Sequence, residues 1–389
     1  MTKGPQTKMN IFPSSVILLT FMLTARVGNL NQVQDLPTFM PVELRRDTFT
    51  YFHSYGATEI KGIQFIESQT QRKDFGNKIV NRTQVVVALN AIKVPVRFLE
   101  ITEDYSQRHQ ISFLPNIGFS SELRKTRIGR SPDGVLAIPQ YKGANVQEIK
   151  DLSSIKPMQI FGDEYLRSAV YDSKLLVLTT SSIKLLDSKD NSKAPSVLAD
   201  AKVLSSEKLE DVSLEFVEDY DCIIQIGKRI NSSEYVVQLF ELKSALGKVV
   251  LNRKHRISLP VEILRAKPLS KDLSRLITST EKQVTEFRWD RTDSVSRHPI
   301  RLQTVDGKQL TGINHILVDD TFVLFGTDTG VYFSSIWDDS ESVITVNKLP
   351  SSRSAKVSQL SISKSDYLVV GYKISDKNNE LIAAWKLNR

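Results

Sequence analysis

Two adjacent pairs of carboxylates, Asp319-Asp320 and Asp338-Asp339, are the first residues in this 389-residue chain whose types suit acid–base chemistry. Each pair borders an apolar run, where Asp commonly bonds the local backbone. Both therefore read as solvated turn acids rather than as a general acid and its base. The single cysteine, Cys222, lies in the apolar run Cys222-Ile223-Ile224 with no histidine nearby in sequence. It reads as a small hydrophobe, not a nucleophile. One cysteine also excludes an intrachain disulfide and any multi-cysteine zinc or iron–sulfur site. His53, His109, His255, His298 and His315 are far apart, and no HExxH, CxxC or His-x-His spacing occurs. Neither a G-x-S-x-G elbow nor a P-loop is present. The expectation is no catalytic residue, no metal and no cofactor.

Basic clusters offer binding chemistry instead. They are Arg124-Lys125 with Arg127 and Arg130, Arg253-Lys254-His255-Arg256, Arg45-Arg46, and Gln71-Arg72-Lys73. The first suits an acidic peptide, a phosphate or a polyanion; the bland alternative is scattered, solvated charge. Nucleic acid is not favoured, because no aromatic side chains interleave with the basic ones to stack bases. Lys plus Arg total 52 against 44 Asp plus Glu, a formal charge of +8 with both signs interspersed. That excess permits an acidic partner without demanding one. Two N-x-S/T sequons, at Asn81 and Asn231, are expected in polar connections before strands and are glycosylation candidates in a secreted protein.

Compartment is read from the N-terminus. Residues 1–34 hold no acid, and Lys3 and Lys8 precede an apolar stretch over residues 16–25. About ten apolar residues fit a signal-peptide core and are too few to span a bilayer. Residues 1–28 are therefore read as a signal peptide, 29–40 as a linker, and 41–389 as one domain. A mitochondrial presequence or a cytoplasmic chain with an N-terminal extension are the alternatives. No later segment is apolar enough over about 18 residues to cross a membrane.

The elements that must hold these residues follow a repeat. Short apolar runs beginning at Val85, Val135, Leu175, Cys222, Arg275, Phe322 and Tyr367 recur every 40 to 53 residues. They are rich in Val, Ile, Leu and Phe and too short for helices, which argues buried strands. A strand is expected before each, across a polar turn such as Asp133-Gly134, Asp219-Tyr220-Asp221 or Lys364-Ser365-Asp366. A third strand follows each, and a fourth follows all but the last. The matching spare strand is expected within residues 42–55. The fold expected is all-β: a seven-bladed β-propeller of four-stranded blades, closed by an N-terminal strand that completes the last blade. Such closure ties the ends together and leaves no unpaired central edge.

Ser131-Pro132-Asp133-Gly134 at a first turn, with Trp289-Asp290 and Trp337-Asp338 at third-strand ends, resembles the WD40-repeat family. Trp385 followed by Lys386 is read at the same repeat position. The resemblance covers about residues 45–389 and implies a seven-bladed propeller. No repeat carries the family's Gly-His dipeptide, and four lack the third-strand Trp, so its Trp–Ser/Thr–His–Asp network is largely missing. The functional expectation is a non-catalytic platform that binds a protein or peptide on a rim or over the central channel. Arg124, Lys125, Arg127 and Arg130, beside an expected innermost strand, are the candidate contacts. The runner-up expectations are a secreted enzyme or small-ligand binder with its site at the channel mouth, and an intracellular adaptor subunit.

Overall fold

A computed structural model describes residues 37–44, 59–66, 72–73, 79–89, 96–103, 109–113, 129–130, 135–140, 143–148, 157–160, 165–171, 174–179, 182–187, 196–200, 209–245, 248–337, 342–363, 365–373 and 381–389. Each expected middle run is a strand: Ile79–Leu89, Val135–Gln140, Lys174–Thr179, Cys222–Arg229, Arg275–Ser279, Phe322–Thr327 and Tyr367–Tyr372. Phe322–Thr327 and Tyr367–Tyr372 are buried at every position. The reason is that successive side chains serve two different cores. Phe322 and Leu324 pack with Leu368, Val370 and Trp385, whereas Val323 and Phe325 pack with Ile277, Ile300 and Trp337. Tyr367 and Val369 turn the other way, onto Phe65, Val85 and Leu99. A strand sandwiched between neighbouring sheets must be apolar on both faces, which gives a continuous run rather than an alternating one.

Around these strands the chain forms antiparallel meanders. Leu209–Val217, Cys222–Arg229, Tyr235–Ala245 and Lys248–Leu259 pair in sequential order as one four-stranded sheet. An eight-stranded sheet consists of two such meanders, one from Arg265–Pro268 to Val295–Thr304 and one from Ile313–Val318 to Val343–Lys348. Parallel pairing of Arg301 with Val343, through Thr304 with Val346, joins their outer strands. The first strands touch in succession: Ile60–Ile66 against Val357–Ile362, that against Ile313–Val318, and that against Arg265–Pro268. Arg265–Pro268 meets the Cys222–Arg229 strand of the neighbouring sheet. Leu209–Val217 then meets Tyr165–Tyr171, which meets Gly129–Arg130, which returns to Ile60–Ile66. These contacts make a ring of sheets standing face to face, a propeller-like arrangement whose cores lie between adjacent sheets.

Two glycines let the first strands cross close to their neighbours. A Cβ on Gly371 would stand 2.6 Å from Ile60 Cβ, and one on Gly326 would stand 2.7 Å from Val357 Cγ1. Both glycines lie near the ends of second strands, where the next sheet's first strand presses in.

An N-terminal strand does pair with the last sheet, but it is not in residues 42–55. Thr38–Pro41 pairs antiparallel with Ile382–Asn388, placing Phe39 opposite Leu387 and Pro41 opposite Trp385. Residues 38–40, read from sequence as the end of a linker, belong to this strand. Phe39 explains the choice: it is buried, with its ring 5.9 Å from that of Phe322 and 4.9 Å from that of Phe333. Pro41, which has no N–H to give, is tolerated because the strand is an edge. The chain then crosses to the first sheet, where Glu43–Leu44 pairs parallel with Gln110 and Ile111. Residues 45–58, including the aromatic stretch 49–55, lie outside the described residues, as do residues 1–36 with the expected signal peptide.

Candidate interaction surface

Of the four basic residues expected to mark a binding site, Arg124, Lys125 and Arg127 lie outside the described residues. Arg130 ends the strand Gly129–Arg130, opposite Leu136. The sequons part company. Asn231 is exposed at a left-handed turn position (φ 59°) between Cys222–Arg229 and Tyr235–Ala245. Asn81 sits inside the strand Ile79–Leu89, opposite Glu103, not in the connection before it.

The three tryptophans do not share one repeat position. Trp289 ends its strand and donates its backbone N–H to Ser274, the residue before the second strand. Trp337 lies two residues past the strand end Ser335, whose partner is Phe322. Trp385 lies inside its strand, opposite Leu368, the second residue of Tyr367–Tyr372. Their side chains also do different things. The Trp289 ring stacks on His255 at 4.1 Å, the Trp337 indole N–H donates to Glu286 at 3.1 Å, and that of Trp385 donates to the Pro350 carbonyl at 2.9 Å. Asp290 stabilises the turn after its strand, accepting from Thr292 N–H and Oγ1 and from Ser294 N–H. The Thr292 hydroxyl is the main reason its carboxyl titrates below the usual range. Asp338 lies outside the described residues.

The ionisable groups inside the fold hold strands together. Glu286 is fully buried and accepts from Arg275 Nε at 2.6 Å and from Arg288 Nε at 2.8 Å and Nη2 at 2.9 Å. Burial pushes its carboxyl up, but the hydrogen bonds from Arg288, Arg275 and Trp337 outweigh it and hold the group at about 2. Because Trp337 belongs to the next meander, this ionic centre also latches two units of the ring. Lys267 and Glu215 form a similar pair between first strands of adjacent sheets. Asp319 of the former carboxylate pair is gripped by both terminal nitrogens of Arg389 at 2.9 Å, while Asp320 stays largely exposed. Burial pushes the Cys222 thiol up to about 12, so at neutral pH it is no thiolate nucleophile. Among the described residues no group of His, Cys, Asp and Glu is placed to hold a metal ion.

Basic side chains cluster on two outer strands. Lys248–Leu259 and Val295–Thr304 carry Lys248, Arg253, Lys254, Arg256, Arg297 and Arg301 and no acid at all. The pairing register shifts between Leu239 opposite His255 and Phe240 opposite Arg253, leaving Lys254 as the extra residue of a β-bulge. The bulge breaks the alternation of the strand, so Arg253 and Lys254 are both exposed. Lys254 reaches Glu241 at 3.2 Å. His255 faces inward onto Trp289, and burial lowers its pKa, so the ring is neutral at pH 7. Trp289 in turn lies opposite Val295 in its own sheet. The ring stack thus links Lys248–Leu259 to the third strand of the next sheet, beside the start of that sheet's outer strand. Sequence reading named the 253–256 cluster but ranked the 124–130 cluster above it. An acid-free strand-length window was the available signal.

No family model matches the sequence, and no curated protein matches it. Solved structures similar to it include a protein from Lactobacillus plantarum, with 9% identity and a TM-score of 0.48 over 74% of this chain and 90% of that one. The N-terminal domain of Nup159 aligns with 10% identity and a TM-score of 0.46 over 90% of this chain and 98% of that one. Hsv2p of Kluyveromyces lactis aligns with 11% identity and a TM-score of 0.43 over 84% of this chain and 97% of that one.

Proposed function

We propose that the chain is a seven-bladed β-propeller that acts as a non-catalytic platform for a protein or peptide partner. The supporting observation is how charge is distributed. The carboxylates Glu286, Glu215 and Asp319 are engaged by Arg and Lys side chains of the fold itself, whereas exposed cations line outer strands that carry no acid. Rigid blades supply a fixed frame, and exposed strands and turns supply the surface a partner reads. The seven expected middle strands, the ring of first-strand contacts and the pairing of Thr38–Pro41 with Ile382–Asn388 support the blade count and the closure. The proposed compartment is the secretory pathway. Its support is the acid-free N-terminus with its short apolar stretch, together with the exposed turn that presents Asn231.

Purification of the full chain from its native source, followed by gel filtration, tests the platform reading. The expected result is co-elution with a second polypeptide in fixed stoichiometry. Recovery of the chain only as a free monomer contradicts it. Sequencing the mature N-terminus and digesting with an endoglycosidase test the compartment; an intact Met1 and unmodified Asn231 would overturn that part.

A further inference from the structure

Resting on the platform reading, we infer that the outer strand Lys248–Leu259, with the adjoining start of Val295–Thr304, is the docking surface, and that its occupant is an extended acidic segment of a partner protein. Lys248–Leu259 is 12 residues long and ends its sheet, so among the described residues no strand pairs with its outer edge. Three other outer strands are differently placed: Val295–Thr304 and Val343–Lys348 pair with each other, and His109–Phe113 pairs with Glu43–Leu44. An open edge presents backbone N–H and C=O groups to a chain in extended conformation, and side chains along it select the sequence. Here the selecting side chains are Arg253, Lys254 and Arg297, all exposed. The exposed Val250 and Val295 add apolar contact at 42% and 50% exposure.

Charge decides among occupants. A second copy of this strand would set cation against cation, which disfavours self-pairing across the edge. An acidic segment meets the opposite sign, and its approach is steered by the field of the whole strand. One nearby acid takes up part of that charge, leaving Arg253 and Arg297 exposed beside it. Glu241 is shared between Lys243 and Lys254, two cations to one carboxylate. His255 is neutral and stacked on Trp289, so it adds no charge to the strand.

The test uses the full chain and a labelled 12-residue peptide of alternating Glu and Thr, matched to the strand's length, with its Gln-for-Glu counterpart. Fluorescence anisotropy at two salt concentrations should show binding of the acidic peptide that weakens with salt, and little binding of the Gln peptide. Arg253→Glu with Arg297→Glu should weaken it about tenfold or more with an unchanged melting temperature. Equal binding by the variant, or no binding of the acidic peptide at low salt, overturns the inference. So does preferential binding to phosphatidylserine vesicles, which would mean an anionic membrane, or concentration-dependent dimerisation that Arg253→Glu abolishes. If the variant still co-elutes with the native partner, the docking surface is wrong and the platform reading stands. If the unaltered chain has no partner, the platform reading itself falls.

Discussion

The middle strands and the outer strands of this molecule solve opposite problems. Phe322–Thr327 and Tyr367–Tyr372 are buried on both faces, and each large apolar side chain is committed to one of two neighbouring cores. Val295–Thr304 and Val343–Lys348 bury alternate residues and leave the others in water. On Lys248–Leu259 and Val295–Thr304 those others include Arg253, Lys254, Arg297 and Arg301 and no acid. A middle strand has almost no freedom to change, because any new side chain meets a sheet on either side. An outer strand can change every second residue at little cost to stability. Stability is therefore concentrated near the axis, and recognition has room at the periphery.

Breaking the closure should give the largest effect. Removing residues 37–42 takes away Phe39 and exposes Ile382–Asn388 as an open edge, so calorimetry should show loss of a single cooperative transition, and light scattering should show aggregation. Cooperative melting of a monomeric truncated chain would mean that the pairing is incidental. Next comes the ionic latch. Glu286→Gln takes the counter-charge of Glu286 from the half-buried Arg275 and Arg288 and should cost about 3 kcal/mol in urea unfolding. Trp337→Ala should cost about as much, through lost burial and the lost indole donor. The latch also has a pH signature. Because the Glu286 carboxyl is lowered from its ordinary 4.5 to about 2 in the folded state, its contribution is complete above pH 4.5. It is lost as the pH falls toward about 2, so Glu286→Gln should flatten the acid limb of the stability profile. A smaller effect is expected of Gly371→Ala, whose new methyl must displace Ile60 Cβ; overpacking of this kind costs about 1–3 kcal/mol. Smallest of all should be Arg253→Glu, within about 0.5 kcal/mol of the starting stability. A large loss there would make the outer strand part of the frame.

The same contrast explains what could be read from sequence. Middle strands announce themselves, since burial on both faces writes an uninterrupted apolar run; those beginning at Cys222, Arg275, Phe322 and Tyr367 start where the structure starts them. The closing strand was displaced because Thr38–Pro41 buries one side chain, Phe39, which is a weaker signal than the aromatic cluster a few residues later. In the sequence alone Trp289, Trp337 and Trp385 read as one repeat position, because each follows an alternating apolar run of third-strand length. Their three registers appear only once strands are paired. The Glu286 centre was half legible: Glu286 and Arg288 share a strand face by alternation, but Trp337 is 51 residues away. The bulge that turns Lys254 outward leaves no mark in composition at all.

Hydrogen exchange on the full chain, with and without the acidic peptide, tests the division of labour most directly. Amides of Phe322–Thr327 and Tyr367–Tyr372 should exchange only through global unfolding, and their protection should be indifferent to the peptide. The outward amides of Lys248–Leu259 should exchange quickly in the free protein and slow when the acidic peptide is added. Uniform protection across both classes of strand, or peptide-induced slowing confined to strands other than Lys248–Leu259, would contradict the account.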